Sequence, residues 1–119
     1  MKKSAVKSFA QLRRYAEARA LGSVRRNDPM AWAYWRETAS FAGVYQSSEV
    51  KLLQLVEDIC VQVGLVRQHA KDGFALEAAY AYSRAKWLVI LGRNNGFRMS
   101  PRTLGVNLKW LRKWAGVAA

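Results

Sequence analysis

Two apolar stripes, separated by a short polar turn, constrain the fold of this chain more than any other feature. Within each stripe the residues recur at alternating spacings of four and three, the pattern of one helix packing along another. The turn Lys71–Gly73 is long enough only for an antiparallel return. The sequence therefore predicts a helical hairpin over about residues 47–91, capped by Ser47 or Ser48. The first stripe is Leu52, Val56, Ile59, Val63, Val66 and Ala70, and the second is Leu76, Tyr80, Ser83, Trp87 and Ile90.

The second helix of the predicted hairpin is apolar on more than one side. It is rich in alanine, and Tyr82, Leu88 and Val89 lie outside its stripe. One antiparallel partner cannot cover this much surface, so we expect both the flanking helices and another subunit to contribute. The predicted oligomerisation residues are Leu52, Val56, Ile59, Val63, Tyr80, Trp87 and Val89.

Three further helices are predicted around the hairpin. They cover about residues 4–21, which form a basic amphipathic helix, residues 28–42, which open with an Asp-Pro start, and residues 101–115, which follow a break at 92–96. We expect their inner faces to be Ala5, Phe9, Leu12, Ala16 and Ala20, then Trp32, Trp35, Ala39 and Ala42, and finally Leu104, Leu108, Leu111 and Ala115.

The tryptophans of the flanking helices have two possible roles each. Trp32 and Trp35 can stack on nucleic-acid bases, but aromatic pairs at helical spacing are more often core residues, which is the expectation adopted for them. Trp110 and Trp114 adjoin the inner face of the last helix. They are candidate partner-binding residues, which anchor in the groove of another protein or complete the fold.

Positive charge is concentrated in the two end regions of the chain. Residues 1–26 have a net charge of +7, residues 27–96 have zero and residues 97–119 have +5, within a total of +12. With an isoelectric point near 10.5 and the composition of a folded protein, this favours nucleic acid over an anionic membrane as the partner. The candidate DNA-binding residues are Lys7, Arg13, Arg14, Arg19, Arg25 and Arg26 first, and Arg98, Arg102, Arg112 and Lys113 second.

Length and composition favour a soluble, cytoplasmic protein of one domain. The 119 residues divide into a basic N-terminal part (1–26), a helical core (28–92) and a basic C-terminal part (97–119). Cys60 is the only cysteine, and we expect it to be a buried small hydrophobe in a reducing compartment. No apolar run suits a signal peptide or spans a bilayer, so no membrane partner is expected.

No sequence pattern is typical of an enzyme. The chain has no nucleophile elbow, no glycine-rich phosphate loop and no cluster at metal-ligand spacing. Its one histidine, His69, is expected on a different helix face from Cys60, so the two do not form a nucleophile and base. We predict a non-enzymatic protein with no catalytic residue, no metal and no cofactor, and with an all-α fold of about five helices around the central hairpin.

A specific order of features runs through residues 28–106. A tryptophan-containing helix opens at Asp28-Pro29, a long helix and an alanine-rich helix follow, and the stretch Gly96–Leu104 closes the series around Ser100-Pro101-Arg102. This order resembles the P27-type phage terminase small subunits, whose closing segment is similar to that stretch. The long helix contributes Leu52, Leu53, Val56 and Cys60 to the similarity.

The resemblance implies a DNA-recognition subunit in a bacterial host cell. Such a subunit assembles into a homo-oligomeric ring, selects viral or satellite double-stranded DNA and presents it to the large terminase subunit. One alternative is a packaging adaptor that binds another small subunit in a mixed oligomer and redirects packaging. A further alternative is a small helix-turn-helix transcription regulator that reads DNA with residues 4–42 and would bind a palindromic site as a dimer.

Overall fold

The computed structural model describes residues 5–46 and 49–117, and this part of the chain is all-α. Its helices are α1 (Phe9–Arg25), α2 (Pro29–Tyr45), α3 (Leu52–Lys71), α4 (Ala75–Asn94), α5 (Pro101–Leu104) and α6 (Leu108–Ala115). They belong to two compact units, Met1–Glu49 with α1 and α2, called unit 1, and Val50–Ala119 with α3 to α6, called unit 2. That the two units fold as one domain stays a prediction.

In unit 1, α1 and α2 pair along their length as an antiparallel hairpin. Phe9 at the start of α1 contacts Tyr45 at the end of α2, with ring centroids 5.3 Å apart. Further along, Tyr15 meets Trp35 edge-on at 5.8 Å. At the tip, Asn27 has a φ of 55°, a left-handed value that asparagine tolerates better than most residues. This antiparallel pairing differs from a helix-turn-helix, whose helices meet at about 90–120°.

Side-chain caps determine where both helices of unit 1 begin. The Ser8 hydroxyl accepts a hydrogen bond from the backbone N–H of Gln11, and the Asp28 carboxylate accepts one from that of Ala31, both at 3.1 Å. The Asp28 cap is therefore confirmed. The first helix is displaced towards the C-terminus from the predicted span 4–21, because Ser8 provides its cap.

The tryptophans of α2 are less buried than predicted. Most predicted inner positions of unit 1 are indeed buried, but Trp35 is only half-buried and Trp32 is 44% exposed. Trp32 lies in the first turn of α2, beside the hairpin tip, where it lines an open pocket with Ser23 and Val24 from the end of α1 and is only partly covered. The buried predicted positions are Phe9, Leu12, Ala16, Ala20, Ala39 and Ala42, whereas Ala5 lies before α1 and is exposed.

The central helical hairpin is present in unit 2 as α3 and α4. Its turn includes Gly73, whose φ of 79° is a left-handed value that suits glycine. Leu55, rather than Leu52, begins the buried stripe of α3, because Leu52 is the first helical residue and is exposed there. Ser47 and Ser48 lie outside the described residues, but α3 begins only at Leu52 with Lys51 at its N-cap, so the predicted helix start at Ser47 or Ser48 is wrong. The buried residues of α3 are Leu55, Ile59, Val63 and Val66.

Helix α4 is buried around most of its circumference, as its composition predicted. It continues to Asn94, so the helix break predicted at 92–96 is wrong at its start. Gly92 is helical and buried, and a Cβ atom there would overlap Cε of Met99 and lie 2.8 Å from its Cγ. Met99 is itself only 2% exposed. Glycine at this position therefore lets the segment before α5 pack directly on α4.

The predicted final helix over residues 101–115 is divided in two. The single turn of α5 ends at Leu104, before Gly105 with its φ of 69°, and α6 begins after Asn107. The Asn107 side chain accepts a hydrogen bond from the backbone N–H of Lys109 at 2.8 Å and so caps α6. Leu111 and Ala115 are buried as predicted.

Cys60 is exposed, so its predicted burial is wrong. It follows Ile59, which belongs to the buried stripe of α3. Successive residues of an α-helix project about 100° apart, which turns the Cys60 thiol away from the side that Ile59 buries.

The Gly92–Met99 contact gives a test of this packing. Gly92→Ala should destabilise the protein by about 1–3 kcal/mol through overpacking, and Met99→Ala by about 2–5 kcal/mol through the cavity it leaves. In the double variant the new methyl group occupies part of that cavity. The destabilisation of the double variant should therefore be at least about 1 kcal/mol smaller than the sum of the two single destabilisations. Urea unfolding followed by circular dichroism measures all four proteins. Strict additivity would contradict the direct contact.

Candidate nucleic-acid interface

An exposed basic stripe runs along the outer side of α1. Arg14, Ala18, Leu21 and Arg25 recur at spacings of four, three and four, so they share one face of the helix. This face is opposite the buried one that packs in unit 1. All four side chains are exposed, and the Cα atoms of Arg14 and Arg25 are about 16 Å apart along the helix axis.

The remaining predicted basic residues of unit 1 are exposed beside this stripe, and several have local partners. Arg13 forms an ion pair with Glu17 at 2.9 Å and donates a hydrogen bond to the Gln46 side chain at 2.7 Å. Glu17 is the sole carboxylate of α1, so this pair leaves the charge of Arg14 and Arg25 uncompensated within their own helix. The exposed residues beside the stripe are Lys7, Arg13, Arg19 and Arg26.

Arg19 takes part in an aromatic cluster on the flank of the hairpin. Its guanidinium carbon lies 5.3 Å from the Trp35 ring centroid and 6.0 Å from that of Tyr15. Contacts of this kind fix the side chain and are worth about 0.5–1 kcal/mol at exposed sites. Arg19 therefore contributes to the stability of unit 1 as well as to its positive surface.

The second predicted basic set, in unit 2, does not lie on a single face. Arg98 precedes α5 and Arg102 lies within it, and both are exposed around the buried Met99. Arg112 and Lys113 are consecutive in α6, so they project about 100° apart, and Arg112 is half-buried. The set therefore divides into an α5 pair and two separate positions on α6.

Exposed tryptophans and exposed cations lie side by side on the outer side of α6. Trp110 is 55% exposed and Trp114 is 44% exposed, and their spacing of four places them on neighbouring turns of one face. Nζ of Lys113 lies 5.3 Å from the Trp110 ring centroid, and the guanidinium carbon of Arg67 in α3 lies 5.2 Å from that of Trp114. The leucine side of α6 is turned inwards, where Leu111 is buried.

Most of the predicted oligomerisation residues belong to the core of a single chain. Ile59, Val63, Trp87 and Val89 are buried, so their side chains are not open to another subunit, and their assignment to subunit contacts is corrected. The 3.6-residue period indicates a buried face but does not distinguish a neighbour in the same chain from one in another. Of the predicted set, Leu52 is exposed, and Val56 and Tyr80 are half-buried.

The described residues contain no group of three or more His, Cys, Asp or Glu side chains that could hold a metal ion. Within the same residues, no helix is both long and apolar enough to cross a bilayer. No protein-family model, no curated protein and no solved structure matches this chain.

Sequence reasoning missed two members of these surfaces. Lys109 is exposed on α6, one turn before Lys113. The spacing of four residues between the two lysines could have indicated from the sequence that they share a face. Arg67 had no such signal, because its contact with Trp114 joins helices that are distant in the sequence. The pairing of α3 with α6 has to be known before Arg67 can be placed.

The exposed thiol gives a chemical test of the α3 surface. Cys60 should react with Ellman's reagent in the folded protein at a rate within about tenfold of the urea-unfolded chain, because its side chain is open to solvent. Absorbance of the released thiolate measures both rates. A Cys60→Ser variant gives the background, and a thiol that reacts only after unfolding would contradict the exposed position.

Proposed function

We propose that this chain is a non-enzymatic protein that binds double-stranded DNA, with the outer face of α1 as its principal contact. The observation that carries the proposal is the exposed stripe containing Arg14 and Arg25, on a helix whose one carboxylate, Glu17, is paired with Arg13. Lys7, Arg19 and Arg26 add further exposed cations beside the stripe.

The dimensions of the stripe suit a duplex. The Cα atoms of Arg14 and Arg25 are about 16 Å apart along α1, and each strand of duplex DNA carries one phosphate about every 3.4 Å of duplex axis. One helix therefore spans several phosphates, and the long arginine side chains reach either strand. Such contacts position a protein on DNA without reading bases, and each neutralised phosphate adds roughly 0.9 to the slope of log affinity against log salt.

The role proposed for this binding is that of a terminase small subunit, which recognises viral or satellite DNA and hands it to the large subunit. This step rests on the resemblance of residues 28–106 to the P27-type small subunits, most specifically at Ser100-Pro101-Arg102. Two features of the segment support it: Met99 anchors it on α4 through Gly92, and Arg102 is exposed. A ring of such chains would repeat weak phosphate contacts and strengthen them by avidity.

A packaging adaptor is the second candidate, and the exposed tryptophan of α2 favours it. Trp32 is 44% exposed, and tryptophan is enriched among residues that dominate protein interfaces. An adaptor would bind duplex DNA weakly by itself. It would gain affinity and specificity only with another small subunit.

Charge reversal on α1 tests the duplex contact. Arg14→Glu and Arg25→Glu should each weaken binding to a labelled duplex at least roughly tenfold, because each replaces a phosphate contact with repulsion, and the double variant should lose about 2 from the salt slope. Fluorescence anisotropy at several salt concentrations measures both quantities.

Arg36→Glu is the matched control for these variants. Arg36 is an exposed arginine of unit 1 on α2, outside the stripe, so its reversal changes the net charge equally. An equal loss of affinity in Arg36→Glu would indicate general attraction to the net charge. Unchanged binding in the α1 double variant would overturn the assignment to this face.

Solution mass tests the terminase-like role separately from DNA binding. We expect an assembly of several subunits that persists at high salt, because subunit contacts in such a ring are expected to be apolar and salt screens charges rather than apolar contacts. Light scattering at low and high salt measures it. A monomer that binds duplex DNA would retain the DNA contact and contradict the simple ring.

A further inference from the structure

We infer that the outer face of α6, together with Arg67 of α3, is a second nucleic-acid site, which binds unpaired bases of a single strand by stacking on Trp110 and Trp114. This goes beyond duplex binding by α1, because its chemistry is recognition of base faces rather than of phosphates alone. The site lies wholly within unit 2.

The positions of the two indole rings on α6 suit base stacking. Residues four apart on a helix have Cβ atoms about 6 Å apart, so Trp110 and Trp114 present neighbouring rings on one side of α6. About half of each side chain is open to solvent. Successive bases of an extended strand can stack on such rings, and every base has a face suitable for stacking.

Cations close to the two indole rings can contact the phosphates of a bound strand. Nζ of Lys113 lies 5.3 Å from the Trp110 ring centroid, and the guanidinium carbon of Arg67 lies 5.2 Å from that of Trp114. Each ring therefore has a cation over one of its faces, so a base would stack on the opposite face, with the cation close enough to reach the phosphate of the stacked nucleotide. Lys109 adds a third exposed cation one turn from Lys113, and residues 97–117 contain no carboxylate.

The same arrangement argues against other occupants. A groove in a partner protein or the interface of a membrane would favour aliphatic side chains beside the indoles. In α6 the leucines do not supply them: Leu111 is buried and Leu108 is half-buried, so the exposed face consists of indole rings and ammonium groups. A polyanion that carries flat aromatic rings complements this face better than an apolar surface does.

The test separates base stacking from phosphate attraction. Labelled oligothymidylate and an abasic strand of the same length carry the same phosphates, and only the first has bases. The wild-type protein should bind oligothymidylate at least roughly tenfold tighter, because stacking contributes to binding for each base held. The Trp110→Ala, Trp114→Ala double variant should bind both strands with the same, weaker affinity.

Two further variants control for folding and for exposed aromatic side chains in general. Trp110→Phe with Trp114→Phe keeps a ring at both positions and should retain most of the preference for bases. Phe74→Ala removes an aromatic side chain of unit 2 that is 53% exposed and lies outside α6, and should retain it fully. Circular dichroism melting confirms that each variant is folded.

Several results would overturn the inference. Equal affinity of the wild-type protein for both strands would show attraction to phosphates only, and an unchanged preference in the double alanine variant would place the stacking elsewhere. Tryptophan-dependent binding to phosphatidylglycerol vesicles, with no preference for bases, would assign the face to a membrane. The proposals fail independently, since duplex binding is tested by Arg14 and Arg25 and strand preference by Trp110 and Trp114.

Discussion

The burial of α4 is the constraint on which unit 2 depends. From Ala78 to Gly92 most of its side chains are buried, and its alanines permit neighbours to approach closely. A helix buried in this way offers few places for charge, because an unpaired buried charge is costly. No basic residue in the described part of unit 2 is buried: most, such as Arg67 on α3 and Lys113 on α6, are exposed, and Arg84 and Lys86 of α4 are half-buried. The packing of α4 thus keeps the positive charge of the unit at or near its surface.

The apolar period predicted the helices better than it predicted their ends or their neighbours. The inner face of α1 and the middle of the α3 stripe were readable because burial repeats every three or four residues. The predicted α4 stripe was only partly right: Ser83 and Trp87 are buried, whereas Leu76 is exposed and Tyr80 and Ile90 are half-buried. Local chemistry determined the ends: Ser8 starts α1 later than predicted, and Asn107 with Gly105 divides the last helix. The sequence predicted that Gly92 begins a break in the helix. In the structure it is helical, and its lack of a side chain allows Met99 to pack against α4.

The candidate sites were predictable to different degrees for the same physical reason. The α1 stripe lies within one helix, so the spacing from Arg14 to Arg25 determines it from the sequence alone. The α6 surface needs Arg67 from another helix, and only the packing of α3 against α6 brings that residue to Trp114. Tryptophan spacing at Trp110 and Trp114 was visible, but spacing alone did not decide whether the rings face a core or the solvent.

The chemistry of the two surfaces bears on how a site on DNA would be selected. Guanidinium contacts with phosphates carry no base identity, and indole rings stack on every base. Neither α1 nor α6 therefore reads a sequence through the contacts proposed for it. Under the proposed role, selection of a DNA site would depend on the deformability of the DNA and on repeated display of the same weak contacts in an assembly. Specificity would then be a property of the proposed assembly on bent or partly unpaired DNA, rather than of one side chain against one base pair.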